Sequence, residues 1–475
     1  MGSVARLAVV VLLVAAGAGV PTTGTAADAG QQHASRLRPG SSGLGDPYFP
    51  HEGNGGYDVR HYSLRLSYAP ATHRLSGTNT LTALATENLS RFDLDLSGFS
   101  VSSVTVDGTA AQFRRTGQEL VITPAHGLRR GTAFRTTVAY DGRPRTIVGS
   151  PIVFGAPYGW IYTKDGAFVG CEPNAAHTWF PANDHPRDKA TFRFAVTVPS
   201  DRKVVANGSY VGDRADGDRT TYVWAEHQPM ATYLATIDIG RWQLHRTRTP
   251  GGIPEIVAVD PALAKRARTR HTVALTGRIT DYWTKRFGRY PFSSTGGIVD
   301  NVPDIGFSLE TQTRPLYGFV PDPVTASHEL SHEWFGDSVS VRSWRHIWLN
   351  EGFATFSEWL WAEHTGGPST YRRARADFRA IPRSDGFWHQ SIASPGRNAM
   401  FSSAVYERGG LTLAALRHEV GDRVFFRILR VWVREHHHGN ATTGQFVRLA
   451  QHVSGRPLQH FFQVWLYRQA KPGHL

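Results

Sequence analysis

Two histidines and two glutamates in the second half of the chain constrain its fold more than any other feature. His328, Glu329 and His332 form a His-Glu-x-x-His motif, and Glu351 follows His332 after eighteen intervening residues. On a helix, residues i and i+4 share one face, so both imidazoles can reach one metal ion. A second helix that starts near Glu351 and returns beside the first would supply a third ligand. The pattern therefore predicts two adjacent helices around one metal site.

The donor set favours zinc, with one Zn²⁺ per chain. Two His and one Glu leave the fourth position open, as in thermolysin and carboxypeptidase A. A structural zinc site would usually close its sphere with a fourth protein ligand, often Cys. Glu329, one residue beyond His328, can approach a water molecule that the metal polarises. The alternative is an ordinary helix surface, but the spacing of Glu351 favours a zinc peptidase of the gluzincin type.

The pattern of apolar residues divides the chain into two parts. From Tyr57 to Gly240 short segments alternate with period two, as in Thr191–Val198, and turn signals such as Asp107-Gly108 separate them. After Arg241 helical spacing dominates. We therefore predict a multidomain fold, with an N-terminal antiparallel β domain over 46–240 and a mainly helical α+β catalytic domain over 241–475.

The N-terminal segment has the pattern of a signal peptide over residues 1–27. Arg6 precedes the uncharged apolar run Leu7–Val20, and small residues at 25–27 offer a cleavage site. Fourteen apolar residues are too few to span a bilayer, which disfavours the alternative of a membrane anchor. No other uncharged run is long enough to span one. Residues 28–45, rich in Gly, Ser and Ala, are expected to form a flexible leader. The expected location is secreted and extracellular, with retention at the cell wall left open.

Charge and cysteine content narrow the class of partner. The net charge is +13, yet the chain has no dense Lys/Arg run of the nucleic-acid-binding type, so no nucleic-acid partner is expected. Cys171 is the only cysteine and cannot form an internal disulfide bond. The stability of an exported chain of this kind must therefore come from its core.

From these motifs outward the sequence resembles the aminopeptidase N family of gluzincin zinc peptidases, over roughly residues 45 to 475. The resemblance implies a β-sandwich-like first domain, a thermolysin-like catalytic domain and a site between them. Members have a Gly-x-Met-Glu-Asn motif, which Gly306 to Thr311 resembles with Leu309 and Thr311 as departures. In the family this Glu binds the free amine of the substrate, so the resemblance assigns substrate binding to Glu310, with Gly306 in the same motif.

Three further positions take roles from the same resemblance. Glu172 falls where the family has a Gln or Glu lining the first specificity pocket, although alone it is equally consistent with a solvated strand-end acid. Tyr406, in a segment similar to Tyr-x-Lys-Gly with Arg408 in place of Lys, would stabilise the tetrahedral intermediate. Without the resemblance it would be interpreted as a half-buried aromatic. Glu358 would support a zinc-ligating His. Glu333 replaces the usual Gln.

The resemblance also implies the reaction. The expected activity is that of a secreted zinc metallo-aminopeptidase of the short bacterial form, without the long C-terminal helical domain. It would act on peptides with a free N-terminus, with zinc-activated water, Glu329 as general base and acid, and Tyr406 at the oxyanion. A zinc endopeptidase and a non-catalytic surface-binding protein with a relict site remain alternatives. The sequence leaves the preferred N-terminal residue and the oligomeric state open.

Overall fold

The computed structural model describes residues 36–475, and the predicted signal peptide lies outside them. The strands of the first part are, in chain order, β1 Arg38–Pro39, β2 Tyr57–Ala69, β3 Arg74–Ala85, β4 Leu89–Asp95, β5 Phe99–Val106, β6 Thr109–Ala110, β7 Gln112–Thr116, β8 Glu119–Thr123, β9 Ala133–Gly142, β10 Thr146–Ile147, β11 Tyr158–Tyr162, β12 Ala167–Gly170, β13 Lys189–Pro199, β14 Lys203–Ala206, β15 Ser209–Asp216, β16 Arg219–Ala231 and β17 Ile237–Gly240. This part is a β domain, as predicted.

The elements of the second part are mainly helical. In chain order they are β18 Gln243–Arg248, β19 Pro254–Val259, α1 Pro261–Ala264, α2 Ala267–Phe287, β20 Thr295–Val299, β21 Ser308–Leu309, β22 Leu316–Tyr317, α3 Pro323–His332, β23 Val339–Val341, α4 Trp348–His364, α5 Thr370–Ala380, α6 Gly409–Val420, α7 Asp422–His436, β24 Gly439–Ala441, α8 Thr443–Ser454 and α9 Gln459–Phe462. The fold class predicted from the sequence is confirmed.

The β domain is built on an eight-stranded sheet in the order β15-β16-β13-β2-β3-β9-β5-β6. In β2 the alternation buries Leu64, Leu66 and Tyr68. A register shift between Val59 and His61 changes the phase of the alternation, so that Val59 is also buried. Each buried side chain of this size contributes roughly 1.5–3 kcal/mol. One central pairing differs from the antiparallel prediction, because β13 runs parallel to β2. A parallel neighbour needs a long connection, and β13 enters the sheet only after such an excursion.

The predicted flexible leader over 28–45 differs from the structure in its described part. Arg38 donates its amide to Asn88 O at 2.8 Å, and β1 pairs with β4, so this segment is attached to the β domain. The adjoining Asp46 is buried and accepts hydrogen bonds from the amide of Trp344 at 2.9 Å and from His185 at 3.2 Å. The prediction of a flexible leader rests on amino-acid composition, which carries no information about backbone hydrogen bonds. Such bonds hold this segment against the β domain, and Asp46 connects it to the second part.

The second part begins with a mixed sheet in the order β18-β19-β20-β22-β21. Its central strand β20 is buried along its whole length, as expected for a strand covered on both faces. The edge strand β21 ends immediately before Glu310, so the sheet carries that residue towards α3. Within residues 36–475, no helix combines the length and the hydropathy needed to cross a bilayer.

Candidate active site

Helix α3 presents the His-Glu-x-x-His motif in the expected geometry. Asp322 caps its first turn by accepting the amide of Thr325 at 2.8 Å, and Pro323 occupies the position where a missing N–H costs nothing. One helical turn separates His328 from His332, and their ring centroids lie 4.8 Å apart. Both rings therefore face the same side of the helix.

Helix α4 supplies the third donor. Glu351 Oε2 lies 3.5 Å from His328 Nε2 and 3.6 Å from His332 Nε2. Two donors held about 2.1 Å from one tetrahedral ion lie roughly 3.4 Å apart, so the three donors have the separations that one zinc ion requires. The three side chains are the predicted ligand set, and their chemistry and spacing fit zinc.

The other nitrogen of each imidazole has a hydrogen-bond acceptor. His328 Nδ1 donates to Glu358 Oε1 at 2.6 Å, and His332 Nδ1 donates to the carbonyl of Phe335 at 2.9 Å. Such acceptors hold the Nδ1 proton in place and direct the Nε2 lone pair to the metal. Burial lowers the pKa of His332 to about 4, so its ring is neutral at neutral pH, as a ligand must be.

Glu329 is buried beside His328, His332 and Glu351 but is not one of the three predicted metal ligands. It forms a group with Glu310 and His332 whose donor atoms lie within 4.8 Å of one another. Burial raises the pKa of the Glu329 carboxyl to about 8. A carboxyl whose pKa lies near neutrality suits both the acceptance and the return of a proton.

Glu310 and Glu172 come together beside Glu351. The three carboxylates have oxygens within 4.8 Å of one another, and Glu172 Oε1 and Glu310 Oε1 are buried without a hydrogen-bond partner among the described residues. Burial raises the pKa of both carboxyls well above the usual range. Burying such groups without partners is costly, and a bound cation or ammonium group would relieve that cost. Glu172 thus lies in the site rather than at a solvated strand end.

Gly306 has a different place from Glu310. It is exposed, and its φ of 73° closes the 3₁₀ turn Pro303–Ile305, a left-handed conformation that favours glycine. Gly306 is not part of the group formed by Glu172, Glu310 and Glu351. Among the described residues, the structure therefore shows no contact that would support a direct substrate-binding role for Gly306, and only its place in the turn before Glu310 connects it with the site. The next residue, Phe307, does reach the site.

Tyr406 lies on a π-helical turn, Ala404–Arg408, with its ring stacked on that of His328 at 6.1 Å between centroids. Burial raises the pKa of its phenol well above the usual value, so the hydroxyl keeps its proton and can donate a hydrogen bond. π-Helical turns are rare and are frequent at functional sites.

Arg408, at the end of the same turn, is fully buried and is surrounded by carbonyl groups. It donates to five backbone oxygens, those of Trp465, Trp388, Gln390, Val464 and Arg468, at 2.6 to 3.1 Å. These acceptors belong to two separate segments, 388–390 and 464–468. The guanidinium therefore fastens the turn that carries Tyr406 to both of them.

Close backbone packing joins the Glu351 helix to this turn. A Cβ atom added at Gly352 would lie 2.7 Å from Gly409 Cα, and one added at Gly409 would lie 2.5 Å from Gly352 Cα. Contacts that short do not occur between real atoms, so both positions require glycine. The pair sets the distance between Glu351 and the turn of Tyr406.

A cavity of about 170 Å³ opens beside these residues, and most of its wall belongs to no sequence motif. Phe154, Phe307 and Phe401 contribute aromatic side chains to it, from three segments far apart in sequence. No period or motif links the three. The structure thus brings eight of the nine predicted residues into one site, with only Gly306 at its edge, and adds a wall that a family motif alone does not contain.

Comparison with known families gives two matches along the chain. Residues 59–234 match the family described as "Peptidase M1 N-terminal domain", and residues 323–465 match "Peptidase family M1 domain". The second match contains all three metal-site donors. A probable aminopeptidase 2 of Sulfurisphaera tokodaii is 25% identical over 407 residues, which cover 80% of this chain and 50% of that protein. The chain spans about half the length, or less, of the first curated relatives it matches.

Solved structures cover the chain more fully. The crystal structure of an M1 zinc metallopeptidase from Deinococcus radiodurans has a TM-score of 0.83 and 29% identity, covering 90% of this chain and 98% of that one. A substitution mutant of that enzyme, bound to a Tyr-Ser-Ala substrate, also has a TM-score of 0.83, with 28% identity and coverage of 90% and 99%. Both match across the two parts described above.

Proposed function

This chain belongs to peptidase family M1, and we propose that it is a zinc metallo-aminopeptidase that removes the N-terminal residue of peptides. His328, His332 and Glu351 would hold the zinc ion. When bound there, zinc supplies Lewis-acid polarisation of the scissile carbonyl and lowers the pKa of water. The remaining chemistry belongs to the side chains around it.

Three side chains divide the work of hydrolysis. Glu329 accepts a proton from the attacking water as its oxygen bonds to the carbonyl carbon, and then gives that proton to the leaving amine as the C–N bond breaks. The protonated hydroxyl of Tyr406 donates a hydrogen bond to the oxyanion, a contribution often worth about 3 kcal/mol. Glu310 and Glu172 pair with the N-terminal ammonium group of the substrate.

The observation that carries the exopeptidase assignment is the group of Glu172, Glu310 and Glu351, with oxygens within 4.8 Å of one another. An ammonium group held there lies one residue from a carbonyl at the metal site, because the anchor and the third ligand are neighbours. A blocked N-terminus would leave two buried carboxylates without a cation, which disfavours its binding. An endopeptidase would not require this pair.

The test compares free and N-acetylated aminoacyl amides with purified, zinc-loaded enzyme. We expect cleavage of the free amides only, loss of that activity with a chelator and its return with zinc. Glu329→Gln should retain zinc and lower kcat about 10²- to 10⁴-fold. Glu310→Gln should mainly raise KM for free amides, whereas Glu87→Gln, an exposed control, should change neither constant. Equal cleavage of blocked and free amides would instead indicate an endopeptidase, and zinc binding without turnover a relict site.

We further propose that the protein is exported, on the strength of the signal-peptide pattern in residues 1–27. N-terminal sequencing of protein recovered from the culture medium tests this. A mature N-terminus near Ala27 is expected, and recovery only from cells with Met1 intact would contradict it.

A further inference from the structure

The cavity beside the carboxylate group has a mostly apolar wall. Val153, Phe154, Phe307, Leu309 and Phe401 line it, and its volume is about 170 Å³. Leu309 directly precedes Glu310, so the peptide backbone that carries the amine anchor also forms part of this wall. Glu172 and Tyr406 line the cavity as well. The cavity therefore opens at the point where an N-terminal residue would be held.

From this arrangement we propose that the enzyme selects peptides whose N-terminal side chain is aromatic or large and aliphatic, and that Phe154 is a specificity-determining residue. The inference rests on the proposed aminopeptidase function, because it assumes that the ammonium group binds at Glu310 and Glu172. With that group fixed, the side chain of the first residue points into the cavity while its carbonyl lies at the metal site.

The size and chemistry of the cavity support this class of side chain. A cavity of about 150 Å³ lined by Leu, Ile and Phe takes up benzene, so 170 Å³ lined by three phenylalanines has room for a phenyl ring. Aromatic rings also gain from edge-to-face contacts with such a wall. An acidic side chain would lose its hydration there and would meet the carboxylate of Glu172, so N-terminal Asp and Glu should be rejected.

Phe154, which ends the 3₁₀ turn Pro151–Val153, has two features that are unusual for a phenylalanine. Its side chain is 72% exposed although it is one of the largest apolar side chains, and its backbone is left-handed, with φ of 54° and ψ of 29°. A residue with a β-carbon adopts that conformation only at a cost, and such outliers cluster at ligand sites. A ring held at the mouth of the cavity would be covered when a substrate side chain enters.

The experiment is a panel of Phe, Leu, Ala, Arg and Asp amides of a fluorogenic amine, assayed as kcat/KM with zinc-loaded native enzyme and its variants. We expect Phe and Leu to exceed Ala by at least tenfold, Arg to fall below Ala, and Asp to be lowest. Phe154→Ala should lower kcat/KM for Phe at least fivefold and for Ala less than twofold. Phe113→Ala, which removes a 37% exposed ring on β7, is the matched control and should leave every ratio unchanged.

Phe154→Gly separates specificity from folding. Glycine accepts the left-handed backbone without cost, so this variant should be at least as thermally stable as the native enzyme and still lose the preference for Phe. A ranking with Arg or Asp first, or an equal loss of Phe and Ala turnover in both Phe154 variants, would overturn the proposal.

A binding arm keeps this result distinct from a failure of the proposed function. The increase in Tm caused by free L-phenylalanine is compared with that caused by L-alanine, using zinc-loaded Glu329→Gln protein and the same protein with Phe154→Ala. A larger shift with phenylalanine that disappears with Phe154→Ala supports the pocket even if no amide is cleaved. Equal shifts with both amino acids count against the pocket even if amides are cleaved.

Discussion

Arg408 offers the most informative single substitution outside the metal site. Its guanidinium is buried, and its five N–H groups match five backbone carbonyls at 2.6 to 3.1 Å. Burial lowers the pKa of Arg408 to about 10, which leaves it charged at neutral pH. Lysine has three donors, so Arg408→Lys would leave at least two of these carbonyls without a partner.

The size of the effect follows from those lost bonds. A buried polar group left without its partner costs about 1–3 kcal/mol, so two of them cost about 2–6 kcal/mol. Because the turn at 404–408 also carries Tyr406, the loosened turn should misplace its hydroxyl. Loss of one oxyanion donor lowers kcat about 10²- to 10³-fold, and partial misplacement should cost about tenfold.

The assay combines thermal unfolding with steady-state kinetics. We expect Arg408→Lys to lower Tm by several degrees and to lower kcat with little change in KM, because substrate binding uses other residues. Arg375→Lys, on the exposed face of α5, is the matched control and should behave as the native enzyme. A native Tm together with a native kcat in Arg408→Lys would refute the inference that the five bonds fasten the turn that carries Tyr406.

Three other predictions follow from the geometry. Glu358→Ala removes the acceptor of His328 Nδ1 and should weaken zinc binding about 10- to 100-fold, as measured by competition with a chelator; native affinity would show that the contact is dispensable. Burial alone would raise the pKa of Asp46, but hydrogen bonds from His185 and backbone amides lower it to about 2, so its contribution of about 2 kcal/mol is present above pH 4 and lost as the pH falls through 2. Asp46→Asn should therefore lower Tm at pH 7, and the difference from the native protein should shrink towards pH 2.5; a constant difference would contradict this. Gly352→Ala should lower both Tm and zinc content, because the added Cβ would lie 2.7 Å from the backbone of Gly409. The control Gly386→Ala should lower neither, because the space around Gly386 is open.

The parts of the site that could be predicted are those that local periodicity determines. His328 and His332 face one side because they are four residues apart on a helix, and Glu351 follows because a short connection returns the chain beside it. The aromatic wall of the cavity has no such rule, since Phe154, Phe307 and Phe401 meet only through tertiary packing. The parallel pairing of β13 with β2 could not be predicted either. Alternation of apolar residues indicates which face of a strand is buried, whereas the direction of its neighbour depends on the connection between the strands.

The departures from the family motif near Glu310 can be understood only together. Thr311, which replaces the family Asn, donates a hydrogen bond from its hydroxyl to the carbonyl of Arg314. The amide of Arg314 in turn donates a hydrogen bond to the carbonyl of Thr311 at 2.9 Å. The left-handed Thr313 between them, with φ of 67°, donates its amide to Glu333 Oε2 at 3.2 Å. Glu333 stands where the family usually has Gln. Two departures from the family pattern, Thr311 and Glu333, thus form hydrogen bonds in the same loop after Glu310.

The same loop is also tied to the β domain. The hydroxyl of Thr313 accepts the amide of Gly208 at 2.7 Å, and the buried guanidinium of Arg314 donates to Gly208 O at 2.8 Å. A loop held at the end of α3 and at the first domain has little freedom to move Glu310, which lies within 4.8 Å of donor atoms on Glu329 and His332. These hydrogen bonds hold the loop so that Glu310 lies beside the metal site although the residues around it depart from the family motif. That position supports the proposed aminopeptidase over an endopeptidase.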